Sequence, residues 1–172
     1  AASTMNNLGL MYYDMKNFEK AIEYNTKGLN CYKEFGNELG VAHSLSLLGD
    51  VYDEKGDFEK AMKYFMEGLA IREKLEDKPG IAATLMSIGI AQVHFKKYHE
   101  AIKTLNKALI LSKEIDSKEG LRECYVALSR AYFNLNDFKS AYEYHKLYSE
   151  TKDSLLNEES SRQIAEMQTK YE

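Results

Sequence analysis

Few side chains in this chain are of types that do chemistry, and their spacing limits what they could do. The histidines are His43, His94, His99 and His145, and the thiols are Cys31 and Cys124. A zinc hydrolase needs two histidines one helical turn apart around a glutamate, and no pair here has that spacing. His94 and His99 straddle a turn and read as surface or edge packing. Cys31 and Cys124 lie in distant segments and make no Cys-x-x-Cys pair, so each reads as a small buried thiol. No glycine-rich loop is placed to cradle phosphate. The remaining cluster is Asp50, Asp53 and Glu54, three carboxylates within two helical turns. With no nucleophile, base or metal set around them, their chemistry is recognition of positive charge rather than catalysis.

Composition agrees with a packed, non-catalytic object. The chain has 172 residues, 44% hydrophobic and 29% charged, with one proline. That is too apolar for disorder and too poor in Pro and Gly for a low-complexity chain. A net charge of −4 argues against a nucleic-acid binder, which would carry a basic face. No apolar run reaches the ~18–20 residues of a membrane span, and no secretory signal is present. Two distant thiols need no oxidation, so cytoplasm and periplasm are both open.

The elements that position these residues come from an internal repeat. Gly9, Gly49 and Gly89 recur at a fixed interval, with Ser129 in the fourth place. Ala21, Ala61, Ala101 and Ala141 keep that interval, as do Phe18, Phe58, Tyr98 and Phe138. Each repeat reads as two helices. In the second, Val41, Leu45, Leu48, Gly49 and Tyr52 follow a helical period over about Glu38 to Glu54. Asn37, Asp77 and Ser117 are N-cap types for first helices, and Asn17, Asp57 and Asp137 for second helices. Lys97 is not, so the third of those caps is weak. Small residues at fixed places let helices approach closely, and no pair can bury its apolar face alone, so the pairs must stack.

These residues resemble the tetratricopeptide repeat (TPR) family. The first-helix pattern reads Leu8-Gly9-x-x-Tyr12, Leu48-Gly49-x-x-Tyr52, Ile88-Gly89 and Leu128-Ser129-x-x-Tyr132. The turn reads Asn17-Phe18, Gly56-Asp57-Phe58, Lys97-Tyr98 and Asp137-Phe138, and the late small residue is Gly28, Gly68 or Ala108. Gln92 replaces the tyrosine of the third repeat, and Tyr148 the small residue of the fourth. The interval is longer than the 34 residues of the commonest form. It is similar to that of kinesin light chains, polarity adaptors and bacterial peptide-sensing regulators. The resemblance implies an all-α fold, an α-solenoid of four helix-turn-helix repeats with a C-terminal extension helix. The array is expected over residues 1–157, in repeats of about 1–36, 37–76, 77–116 and 117–157, with the extension over 158–172.

The resemblance also implies a concave groove lined by first helices. Helical geometry then chooses its residues. They are Asn6, Asn7, Leu10 and Tyr13 in repeat 1, and His43, Asp50, Asp53 and Glu54 in repeat 2. Repeat 3 supplies Met86, Ile90, Val93 and His94, and repeat 4 supplies Arg130, Phe133 and Asn134. Val93 and Phe133 stand near the packing edge, where burial against the next first helix is the other reading. The Lys/Asn clamp by which some family members hold a C-terminal carboxylate is absent. Its places hold Asn6 and Leu10, then Ser46 and Asp50, then Met86 and Ile90. Asn7 matches the asparagine that long-repeat members place on peptide backbone. The expected partner is a protein or peptide with basic and apolar residues, with no cofactor.

Both termini carry expectations. Ala1 and Ala2 align with Val41 and Ala42, inside a first helix, which reads as an array cut from a longer protein. Residues Tyr148 to Glu172 resemble the linker after such arrays in bacterial sensor kinases, implying the sensing or scaffolding part of a signalling protein. Ile164, Met167 and Tyr171 have amphipathic spacing. They read as a solvated capping helix or as a seam for self-assembly through the C-terminal helix.

Overall fold

The computed structural model describes residues 1–171, and their side chains except those of 164–166 and 168–171. Eight helices follow one another: α1 (Ala2–Asp14), α2 (Phe18–Glu34), α3 (Glu38–Glu54), α4 (Phe58–Lys74), α5 (Lys78–His94), α6 (Tyr98–Glu114), α7 (Lys118–Asn134) and α8 (Phe138–Tyr171). No strand occurs among the described residues. Each helix packs on the next, and the first helices α1, α3, α5 and α7 also touch one another in series. Among the described residues the second helices make no such contacts with their like, which puts them on the outer, more widely spaced face of a curved solenoid. The four-repeat array expected from the sequence is therefore present, and α3 has the span read from its apolar period.

Every interhelical turn is built alike. Between α1 and α2 the Asn17 N–H donates to the Tyr12 carbonyl at 2.8 Å and the Lys16 N–H to the Tyr13 carbonyl at 2.8 Å. That is a Schellman closure, which needs a left-handed residue just past the helix. The left-handed residues are Lys16, Gly36, Gly56, Glu76, Lys96, Asp116 and Asn136. Only two of the seven are glycine, the residue that adopts this conformation without a steric penalty. The residue that closes one helix also caps the next. Asn17, Asn37, Asp57, Asp77 and Ser117 each accept a first-turn amide through the side chain, and Lys97 makes no such bond. One residue thus ends one helix and starts another, which holds the repeat length constant.

The small-residue series sets the helix spacing. A Cβ on Gly49 would lie 2.5 Å from the Phe65 ring, and one on Gly89 would lie 2.5 Å from Leu105. Ala21, Ala61 and Ala101 are wholly buried. Across each hairpin the repeated tyrosine stacks on its partner, Tyr12 on Tyr24 at 5.3 Å, Tyr52 on Tyr64 at 5.5 Å and Tyr132 on Tyr144 at 5.5 Å. Gln92 takes that place in the third repeat, where its buried Oε1 has no hydrogen-bond partner. Cys124 is buried as expected, whereas Cys31 is half-buried on the outer face.

Two expectations about the C-terminal region need restating. No turn separates residues 157 and 158, because α8 runs on unbroken. The stripe of Ile164, Met167 and Tyr171 lies outside the described side chains except for Met167, which is exposed.

Candidate functional site

The carboxylates on α3 form the charged centre of the concave face. Asp50 and Asp53 lie about one turn apart, so both project toward the seam between α1 and α5, with Glu54 beside them. Tyr13 reaches in from α1, and Arg72 of α4 faces Asp50 from beneath. From α5, Asp53 is met by His94, whose Nδ1 lies 2.8 Å from Asp53 Oδ2. The Asp53 side chain is only 10% exposed, and its other oxygen, Oδ1, has no partner. Arg72 is anchored elsewhere. Its Nη1 donates to the Gly80 carbonyl at 3.0 Å and to the Thr84 hydroxyl, and its Nε lies 3.8 Å from Asp77. It offsets the acidic cluster without neutralising it.

The electrostatics follow from crowding like charges in a half-dry seam. Burial, and then the charge of Asp53, push the Asp50 carboxyl up to about 7, against the pull of Ser87 and Arg72. Burial also raises Asp53, more than His94 lowers it. The Tyr13 phenol is pushed well above its ordinary value by burial and by Glu54, Asp50 and Asp53. An acid raised in the folded state keeps its proton where the unfolded chain has lost it, so Asp50 makes stability fall as pH climbs from about 4 to about 7. The full shift corresponds to at most about 4 kcal/mol, and Asp50 keeps some solvent contact. Asp50→Asn is therefore expected to raise stability at pH 8 by about 1–2 kcal/mol and to flatten that fall. Urea denaturation at pH 5 and pH 8 checks it, and an unchanged pH slope would contradict it.

The other groove residues divide. Asn7, His43, Glu54, Arg130 and Asn134 are exposed on the concave side, and Leu10 and Phe133 are 45% and 60% exposed. Asn134 accepts a hydrogen bond from the Tyr98 hydroxyl at 3.1 Å. Asn6 is a correction. It is buried at 2%, and its Nδ2 donates to the Ser44 hydroxyl at 2.9 Å. A first helix packs on its own hairpin partner and on the next first helix, so its buried arc is wider than the half-circle read from one face. For the same reason Met86, Ile90 and Val93 are half-buried against the core around Cys124 and Leu128. They form packing more than open patch. Phe133 takes the opposite course, with its ring edge-on to Phe138 at 5.5 Å.

Two features escaped the sequence reading. Asn25 of α2, wholly buried, lines a small pocket with Leu10, Tyr13 and Asp50. Its signal was its register, since the chain places Phe65 and Leu105 at the same step. An apolar pocket of about 390 Å³ also opens between α7 and α8, around Phe133, Phe138 and Tyr142. It repeats the face of α3 and α4 that α5 covers, where Phe58 meets Phe95 at 4.7 Å.

Among the described residues no group of three or more His, Cys, Asp or Glu could hold a metal ion. Burial pushes the Cys124 thiol up to about 12, far from a reactive thiolate. No helix among the described residues is long and apolar enough to cross a membrane.

Comparison with known proteins fits this geometry. Two family models, both described as tetratricopeptide repeat, match residues 1–74 and 123–153. No curated protein sequence matches the chain. Among solved structures, aspartyl phosphate phosphatase F from Bacillus subtilis superposes with a TM-score of 0.83 at 20% identity, over 90% of this chain and 40% of that one. A Rap protein complexed with competence and sporulation factor gives 0.81 at 17% identity, over 87% of this chain and 42% of that one. BtubC from P. vanneervenii gives 0.77 at 18% identity, over 90% and 64%. Likeness at this identity establishes the fold alone. The chain spans about 40% of the first of these proteins.

Proposed function

The chain belongs to the tetratricopeptide repeat family, and on that premise we propose that it is a non-catalytic module that holds a protein segment in its concave groove. The carrying observation is the concentration of carboxylates on α3. Asp53 is nearly buried with one oxygen unbonded and His94 on the other, beside Asp50 near Arg72 and Glu54 paired with the exposed Lys16 at 3.0 Å. A carboxylate held out of water without full pairing favours a positive partner. Leu10 on one side and Phe133 farther along supply exposed apolar surface in the same groove. A segment carrying basic and apolar residues fits both. We place the module in the sensing or scaffolding part of a larger signalling protein. The solved Rap structure with a bound factor supports that placement by likeness of fold.

Selection of a random 12-residue peptide library on the protein tests the groove. The selected peptides should be enriched in Lys or Arg beside apolar residues. Their affinity should fall at least tenfold for Asp53→Asn combined with Glu54→Gln, with the melting temperature held within about 3 °C. Unbiased selected peptides, or unchanged affinity for that variant, would overturn the proposal.

A further inference from the structure

One register position is filled differently at each seam between repeats. Tyr32, Arg72 and Ser112 share it, each near the end of a second helix and each lying over a glycine of the next first helix. A Cβ on Gly40 would lie 2.2 Å from the Tyr32 ring, one on Gly80 2.7 Å from Arg72 Cδ, and one on Gly120 2.7 Å from Ser112 Oγ. Tyr32 and Arg72 are large and pack into their seams, Tyr32 against the core around Leu29 and Val41, and Arg72 against Gly80 and Thr84. Ser112 is small and buried at 2%, and a cavity of about 240 Å³ is left beside it between α5 and α7. Its walls are mainly apolar, with Pro79, Ala82, Ala83 and Met86 from α5 and Ile115 from the turn. The cavity reaches the concave side, because Ala83 is exposed and holds the place that His43 holds in the second repeat.

We propose that this cavity is a socket for one aromatic side chain of a segment held in the concave groove. The socket deepens the groove reading and rests on it. The chain carries its own precedent in Tyr32, whose ring takes the matching place over Gly40. Size agrees, since an engineered apolar cavity of about 150 Å³ already takes benzene. Leaving water for apolar walls is favourable for a ring.

Arginine is the other occupant that the chain uses at this register, and its partners are replaced here. Arg72 donates to the Thr84 hydroxyl and stands 3.8 Å from the Asp77 carboxylate. The next seam holds Cys124 and Ser117 in those places, and the Ser117 hydroxyl already accepts the Gly120 N–H. A guanidinium drawn inside would leave water without an inner carboxylate to meet it. The carboxylates on the α7 side sit at the rim. Glu119 is exposed, and Glu123 is half-exposed with Arg122 at 2.6 Å. They favour a lysine or arginine next to the ring in the bound segment.

The experiment titrates protein carrying isotope-labelled methionine methyls with three probes: Nα-acetyl-phenylalanine N-methylamide and its leucine and arginine counterparts. The readout is the Met86 methyl, assigned by its loss in Met86→Leu. The phenylalanine probe should shift it saturably, and the other two should bind at least fivefold more weakly. A methyl unmoved by the phenylalanine probe, or moved equally by the leucine or arginine probe, would overturn the socket, and this arm needs only the parent protein. Ser112→Tyr should abolish the shift, because it copies Tyr32 and keeps the glycine beneath the ring. Peptides selected from the library should carry an aromatic residue beside Lys or Arg. Their affinity should fall at least fivefold for Ser112→Tyr. Peptides weakened by Asp53→Asn with Glu54→Gln but indifferent to Ser112→Tyr would sink the socket and leave the groove standing.

Discussion

Asn25→Leu is expected to stabilise the protein by about 3 kcal/mol. Two effects add. Removing a buried amide that has no partner relieves about 1–3 kcal/mol. Burying a leucine contributes about 1.5–3 kcal/mol relative to leaving it exposed. Crowding works against both, since a larger side chain in a close-packed interior strains its neighbours. The chain supplies its own control, because Leu105 already packs over Gly89 in that register without exposure. Urea denaturation at pH 7 measures the gain. A loss of stability would mean that the Asn25 amide is bonded in solution and that its polarity holds the three-helix junction together.

The second large effect concerns the turns. Replacing Lys16, Glu76, Lys96 and Asp116 together by glycine is expected to add about 2–4 kcal/mol. A non-glycine residue in the left-handed region is disfavoured by about 1–2 kcal/mol. Glycine recovers that but brings greater freedom to the unfolded chain, an offset of about 0.5–1 kcal/mol. Asn136 is left alone because asparagine is the usual alternative to glycine just past a helix end. Lys16 gives up its pair with Glu54 at 3.0 Å, with side chains 62% and 36% exposed. An exposed pair is worth less than about 1 kcal/mol, so the backbone gain exceeds it. Thermal melting of the fourfold variant should show a rise, and Gly36→Ala should lower the melting temperature of the parent. A fall in the fourfold variant would mean that the side chains at these turns do more than tolerate their backbone.

Much of the architecture was already legible in the residues. The repeat interval, the helix spans and the caps at Asn37, Asp77 and Ser117 depend on contacts a few residues apart, and such contacts are written directly in the order of side chains. The weakness at Lys97 was readable for the same reason. The left-handed backbone shared by the turns was not. Five of the seven left-handed residues are ordinary side chains forced into place by helices packed on either side, so no glycine announced them.

The groove was legible as a face but not as a surface. Sequence placed Asp50, Asp53 and Glu54 together on α3, because one helix fixes their relative directions. It could not say that Asn6 turns under to Ser44, or that Met86 and Ile90 join Val93, for which burial was one of two readings, in the seam with α7. It could not say that Asn25 comes up from α2 beneath Asp50. Those outcomes depend on how closely neighbouring helices approach, and that distance is set by pairs such as Gly9 and Asn25 or Gly49 and Phe65. The sequence by itself determined the period, the caps and the charge of the central helix. Only the tertiary packing decided which of those charges stay in water and which are left half-dry around a pocket, because burial belongs to three helices at once and to no single one of them.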